Sequence, residues 1–326
     1  MSDFKSLKGL FIKHVSSDPS NLISGQIWYN TTTQTIKVAP LIAAWSSGEA
    51  MTTAREGIAG FGTQTAAAGV GGEPGAGGLA AATEEYDGTD WTAGGDLGTA
   101  RRILVGAGTQ TAGLVFGGHP PSPLINLAEE YDGSSWTDGG TLNTGRHGSG
   151  SSGIQTSALC TGGGLGIKDD AESYNGSSWT AETAMNTGRI YSAGAGATAD
   201  ASLAIGGTYT SPTAGTANVE SWNGSSWTEG PNLNSARTGL AGTGTQTAAI
   251  TFGGQITPGP GRTVNTEVWD GSSWTETSNM GTARNLSDGA AGTTTAAVAF
   301  AGSTPPVSAL TEEFNEAITT RSVDTT

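Results

Sequence analysis

The chain has 326 residues, 53 of them glycine, with 13% charged side chains and a net charge of −15. A single cysteine, Cys160, excludes an intrachain disulfide, and no apolar run approaches the length of a membrane span. The acidic balance leaves no basic stripe to neutralise phosphates, so nucleic acid is not an expected partner.

The charge is unevenly spread. Residues 1–44 hold Lys5, Lys8, Lys13 and Lys37 against Asp3 and Asp18, a balance of +2, whereas the remainder holds ten basic and twenty-seven acidic residues, or −17. The start, MSDFKSLKGLFIKHVSS, carries a short apolar stretch interrupted by Lys13, too short for an ordinary signal peptide. Residues 1–40 read as a leader. Within it GQIWYN and TIKV alternate around a polar NTTTQ turn, which predicts a small β-hairpin anchored by Trp28.

From Trp45 onward one unit is copied along the chain. Six tryptophans are each followed ten residues later by an arginine: Trp45/Arg55, Trp91/Arg101, Trp136/Arg146, Trp179/Arg189, Trp227/Arg237 and Trp274/Arg284. Their spacings of 46, 45, 43, 48 and 47 residues set a period of about 46, which identifies a repeat architecture. A diglycine follows each arginine by 16 or 17 residues (Gly71-Gly72, Gly117-Gly118, Gly162-Gly163, Gly206-Gly207, Gly253-Gly254), degenerating to Ala301-Gly302. The small apolar run before it is long enough for a buried strand and too short for a helix. A segment of variable length then ends at a glutamate with an aromatic two positions on: Glu84/Tyr86, Glu129/Tyr131, Glu172/Tyr174, Glu220/Trp222, Glu267/Trp269 and Glu312/Phe314. In five copies Asp-Gly or Asn-Gly precedes the next landmark tryptophan, a turn signal because both residues tolerate positive φ. Each unit therefore reads as four short strands, with GTQTA or a relative turning between the first two.

Diglycine, then tyrosine, then tryptophan in four-stranded units resembles the kelch repeat, and the match covers residues 45–314. The resemblance implies an all-β, six-bladed kelch-type β-propeller of antiparallel blades. The ends of the array are complementary: the last copy stops at Glu312 and Phe314 without a tryptophan strand, and Trp45 lacks a Glu-x-aromatic strand ahead of it. An N-terminal strand near Trp45 is thus expected to complete the last blade and close the ring, removing two unpaired edges. The expected organisation is a leader at 1–40, a propeller at 41–315 and a polar tail at 316–326. GQIWYNTTTQTIKV further resembles short modules of tail-fibre and other virion proteins of tailed phages, and its union with the repeats resembles virion-associated propeller proteins of marine phages.

Chemistry is sparse. Copper oxidases resembling galactose oxidase need two histidines, two tyrosines and a cross-linked cysteine. This chain has three histidines, of which His119 follows a diglycine and His147 follows an arginine, positions that place them at different phases of the repeat. No metal or other cofactor is expected, and Cys160 reads as a buried small hydrophobe. The recurring glutamates and arginines are expected to form structural ion pairs rather than a catalytic dyad, which would appear once. The landmark tryptophans read as packing residues.

What remains is the variable segments, residues 73–83, 119–128, 164–171, 208–219, 255–266 and 303–311. In an antiparallel blade they emerge on one face together with the connections between blades, and a variable rim on a rigid scaffold suits recognition. His119, Lys168, Tyr209 and Arg262 are the candidate binding side chains. The expectation is a non-enzymatic virion protein, part of a tail fibre or similar appendage. Its leader would hold other virion proteins and its rim a host-surface glycan or protein; a homo-oligomer is compatible and membrane insertion is not expected. A purely structural role, decorating a capsid or bracing a tail, is the alternative. A hydrolase or oxidase on the same fold needs a constellation that the residues do not supply.

Overall fold

The structure is a computed structural model describing residues 12–75, 77–120, 125–210, 214–257, 259 and 261–323, in which every regular element is a strand. The leader's Asp3, Lys5 and Lys8, stretches 121–124 and 211–213 of two variable segments, and the last three residues of the tail lie outside the described residues. The chain divides into two compact units, Trp45–Phe314 and a smaller one of Met1–Ala44 with Asn315–Thr326.

In the smaller unit Ile27–Asn30 runs antiparallel to Thr35–Val38, and Trp28 is fully buried. Its indole N–H and the Asn30 side-chain amide both donate to Asp18 Oδ1, at 2.9 and 2.8 Å, so one carboxylate satisfies the polar atoms that the anchor takes out of water. Two strands outside the hairpin extend the sheet. Lys13–Val15 adds in parallel to Ile27–Asn30, and Arg321–Ser322, from the residues expected as a polar tail, pairs with Thr35–Val38.

The larger unit repeats one antiparallel sheet. In the first copy Ala59–Thr63 pairs with Ala66–Val70, then Thr83–Tyr86, then Trp91–Ala93, and the other copies follow the same order. The last is ordered Ala290–Gly292, Ala296–Phe300, Thr311–Ile318 and Leu41–Gly48. Innermost strands pack side by side, and Ala290–Gly292 contacts both Ala241–Thr245 and Ala59–Thr63. This is the arrangement of a β-propeller. Crowding there explains the small residues of the innermost strands: a Cβ on Gly60 would lie 2.5 Å from the Ala290 carbonyl oxygen. The diglycine has a conformational cause, since Gly71 and Gly72 take φ of +68° and +97°; Ala301, the one substitute, is held at +57°.

The arginine and glutamate of every copy meet. Arg55 Nη2 lies 2.9 Å from Glu84 Oε1, and Arg237 Nη2 lies 2.8 Å from Glu267 Oε1 with both side chains sealed from solvent; Arg146–Glu172, Arg189–Glu220 and Arg284–Glu312 match. Nη1 donates to the first diglycine carbonyl and to a carbonyl just before the third strand, as Arg237 does to Gly253 O and Asn265 O. The glutamate's other oxygen accepts a backbone N–H from the connection leaving the preceding copy: Thr52 to Glu84, Gly98 to Glu129, Asn143 to Glu172, Asn186 to Glu220, Asn234 to Glu267 and Gly281 to Glu312. Burial pushes the pKa of these guanidiniums down at Arg55, Arg189, Arg237 and Arg284, and the facing carboxylate opposes it. Arg101 departs from the pattern. Its Nη2 lies 3.1 Å from Glu129 Oε1 but off hydrogen-bond direction, and its guanidinium nitrogens are buried without a hydrogen-bond partner.

Each landmark tryptophan packs against the aromatic of its own sheet, stacked or tilted, with centroid separations from 4.7 Å (Tyr131–Trp136) to 5.5 Å (Trp45–Phe314). Several also abut the preceding sheet, as Trp179 does Phe116 at 4.8 Å and Trp45 does Phe252 at 4.9 Å. Burying one such ring contributes about 2–3 kcal/mol. Polar clamps cross the same seams. Tyr131 and Tyr174 donate at 2.7 Å to Glu85 and Glu130 of the copy before, and Tyr86 of the first copy donates at 2.7 Å to Glu313 of the last. Gln64, Gln110 and Gln155 of the GTQTA-type turns donate to carbonyls of the preceding copy's second and third strands.

Removing one member of a buried pair strands the other. Arg237→Met is expected to lower unfolding free energy by about 3–5 kcal/mol, with a smaller loss for Arg101→Met, whose guanidinium is poorly satisfied already; equal denaturation midpoints for the two would refute this. A double-mutant cycle of Tyr131→Phe with Glu85→Gln should show a coupling of about 1–2 kcal/mol, the scale of a hydrogen bond to a charged acceptor, and additivity would count against it.

Candidate functional site: a polar cup at the axial mouth

The residue after each arginine meets the residue after the diglycine of the same copy. Arg55–Glu56 pairs with Glu73–Pro74, Arg102 with His119, Ile190 with Thr208, Thr238 with Gln255 and Asn285 with Ser303, while Gly164 N–H donates to His147 O. The connections between sheets and the variable segments therefore share one face. One position further along, backbone N–H groups link copy to copy: Ile103 to Gly57 O, Gly148 to Ile103 O, Tyr191 to Gly148 O, Gly239 to Tyr191 O and Leu286 to Gly239 O, at 2.6–3.1 Å. In five of the six copies this position has positive φ, which Gly57, Gly148 and Gly239 adopt freely at +62°, while in the last copy it falls on Ser287 and Asp288 instead of Leu286. Ile103 and Tyr191 adopt it at +54° and +56°, strained for side chains of that bulk.

Around this belt opens a cavity of about 390 Å³, within the ~300–1,000 Å³ range of small-ligand pockets. Ile103 and Tyr191 line it, and most of the rest is uncharged: Thr208, Thr238, Gln255, Thr257, Asn285, Ser287 and Ser303. Its charged members are Glu56, Arg102 and Arg262. Arg102 is paired with Glu73, whereas Arg262 Nη2 donates to Ser303 Oγ at 2.9 Å. Beside Arg102 the His119 and His147 rings lie 5.5 Å apart, and Tyr191 lies 6.1 Å beyond His147. Burial holds His147 down to about 4, with repulsion from His119 and Arg102 adding to it, so its imidazole is neutral near pH 7.

Ser287 lines the cup, and the next residue, Asp288, lines the channel between the innermost strands. The last copy carries one residue more between its arginine and its turn glycine (Arg284 to Gly292) than the first (Arg55 to Gly62), and the excess makes a turn with φ of +50° at Ser287 and +108° at Asp288. That turn carries a carboxylate inward. Asp288 Oδ2 accepts the Gly106 N–H at 3.0 Å and the Ser151 hydroxyl at 3.4 Å, and burial raises its pKa well above the usual carboxylate range.

The candidate binding residues separate. Arg262 lies in the cup, and His119 lines a smaller neighbouring pocket with Glu73 and Arg102. Lys168 and Tyr209 are exposed but line neither. His119 and His147 do stand at different phases of neighbouring copies, pairing with Arg102 and Gly164 respectively, yet they are not scattered: the Gly118 N–H donates to Arg146 O, and the two rings that follow lie 5.5 Å apart. Cys160 is fully buried, and its thiol is pushed up to about 11 by that burial. Among the described residues no group of three His, Cys, Asp or Glu side chains is arranged to hold a metal ion. Tyr191, Ile103 and Asp288 were missed by sequence reasoning. The available signal was the arginine-plus-two position, glycine in three copies and bulky in the other three, together with the extra residue before Gly292.

No protein-family model matches the chain, and no curated protein sequence matches it. Its fold is well represented, with 212 matching chains among solved structures. The structure of YjhT is similar with a TM-score of 0.68 at 14% identity, covering 83% of this chain and 99% of that one. At that identity the likeness is one of fold, a β-propeller.

Because the folded-state pKa of Asp288 is raised, its stabilising contribution is complete below the unfolded value, near 4, and is lost as pH rises through the folded value. Asp288→Asn keeps an acceptor for Gly106 and cannot ionise. The melting temperature of the variant relative to the parent should therefore climb between pH 4 and pH 7; a constant difference would show that Asp288 does not ionise at this cost.

Proposed function

We propose that this chain is a kelch-type propeller of six blades, with Leu41–Gly48 as the outer strand of the last blade and the closure of the ring. Three contacts support the closure. Leu41–Gly48 lies in the sheet of the last copy, the Trp45 ring packs at a tilt on Phe314, and Tyr86 of the first copy donates to Glu313 of the last.

We further propose a non-enzymatic virion protein of a tailed phage, part of a tail fibre or similar appendage, whose variable face recognises a host-surface glycan or protein. The carrying observation is the contrast between frame and lining. Arg and Glu are the same in all copies, while the arginine-plus-one residues that open onto this face read Glu56, Arg102, His147, Ile190, Thr238 and Asn285. Chemical variety on a uniform rigid support suits recognition better than a repeated structural contact. Attachment to other virion proteins is assigned to the smaller unit, which carries five of the exposed large apolar side chains, Ile23, Ile27, Leu41, Ile318 and Val323. Apolar surface concentrated on a small unit favours burial against a partner.

Labelled full-length chain is expected to bind saturably to at least one isolate in a panel of marine bacteria. Replacing His119, Lys168, Tyr209 and Arg262 together by serine should abolish that binding without lowering the melting temperature by more than a few degrees. Absence of binding to every isolate, with the variable face buried against other proteins in a cryo-EM map of the particle, would favour the purely structural alternative instead.

A further inference from the structure

We infer that the cup takes the terminus of a neutral, hydroxyl-rich saccharide, with the Tyr191 ring as its stacking platform. This rests on the recognition role proposed above and specifies its ligand.

The first argument is the backbone of Tyr191. At the equivalent position Gly57, Gly148 and Gly239 meet the positive φ without strain, yet this copy holds a bulky aromatic there at +56°. One side of the ring packs beside His147 and Gly148, and the rest is open. Tyr191 is only half-buried, it lines the cup, and among the described residues its hydroxyl has no hydrogen-bond partner. Strain retained at the edge of a cavity points to use of the side chain, and an aromatic face with a free hydroxyl suits the apolar face and hydroxyl edge of a sugar ring.

The second argument is charge. The polar half of the lining is mostly hydroxyl and amide, the other half is apolar, and the nearby acids Glu56 and Glu73 balance Arg102 and Arg262. The molecule around it carries −15, a field that repels anionic ligands at long range. A ligand matched to both is uncharged and rich in donors and acceptors. The third argument is depth. Ser287 belongs to the cup and Asp288 to the channel beneath, so their turn forms the floor and a chain end fits where a threaded polymer does not.

The test is a microarray of glycans ending in glucose, galactose, mannose or N-acetylhexosamine, beside glycans bearing uronate, sulfate or phosphate, probed with the full chain. Binding is expected to neutral termini. Tyr191→Gly should weaken it at least about tenfold while leaving the melting temperature equal or higher, because glycine relaxes the backbone there. Binding confined to anionic glycans, or unchanged in Tyr191→Gly, overturns the inference. A blank array with binding to bacteria that survives periodate oxidation of their surface also overturns it, in favour of a protein receptor, and leaves the recognition role standing. A blank array without binding to any bacteria removes both.

Discussion

The structure of the larger unit depends on a buried guanidinium that ties three segments at once. In most copies the arginine enters on the connection from one sheet to the next, bonds the diglycine carbonyl and the carbonyl before the third strand, and pairs with the glutamate on that strand. The glutamate then returns a hydrogen bond to the incoming connection. Such a junction needs a planar, multidentate cation that stays charged when buried, a role for arginine and not for lysine. Because the pair is desolvated, its value lies less in net attraction than in the cost of any arrangement that leaves one partner alone. It therefore specifies one path for the chain between sheets.

Around that junction the seams between copies are matched residue by residue. Where a tyrosine follows the glutamate by two positions, the preceding copy carries a second glutamate to accept its hydroxyl: Glu313 for Tyr86, Glu85 for Tyr131 and Glu130 for Tyr174. Where the preceding copy has Ser173, Ser221 or Val268, the aromatic is Trp222, Trp269 or Phe314 and has no hydroxyl to satisfy. The burial that makes Tyr86 and Tyr174 hard to ionise makes an unmatched hydroxyl equally unwelcome. The glutamate doublets, which could be mistaken for paired catalytic acids, thus divide their labour between a pair within the sheet and a bond across the seam.

The face above the junctions shows the converse rule. There the backbone is held by a belt of hydrogen bonds at positive φ, and side chains are free to differ. Ile103, Tyr191 and the Ser287–Asp288 turn break the repeat where the frame does not need them to, and they do so at one mouth. A rigid scaffold with departures gathered at a single concave surface is the physical basis of the function proposed for this protein.

Much of this was legible in the residues. The period of tryptophans and arginines, the diglycines and the turn dipeptides located the strands, because periodicity and positive-φ requirements are local properties of the chain. Other features were decided by tertiary structure. His119 and His147 meet because the Gly118 N–H donates to Arg146 O and so sets neighbouring copies side by side; Arg321–Ser322 finds Thr35–Val38 from the other end of the chain; one extra residue becomes a buried carboxylate only because neighbouring strands converge on it. Sequence alone determined what each copy is, since that is written in local spacing and conformational preference. Which side chains share the cup was left to the fold, because that proximity comes from closing distant segments onto one another.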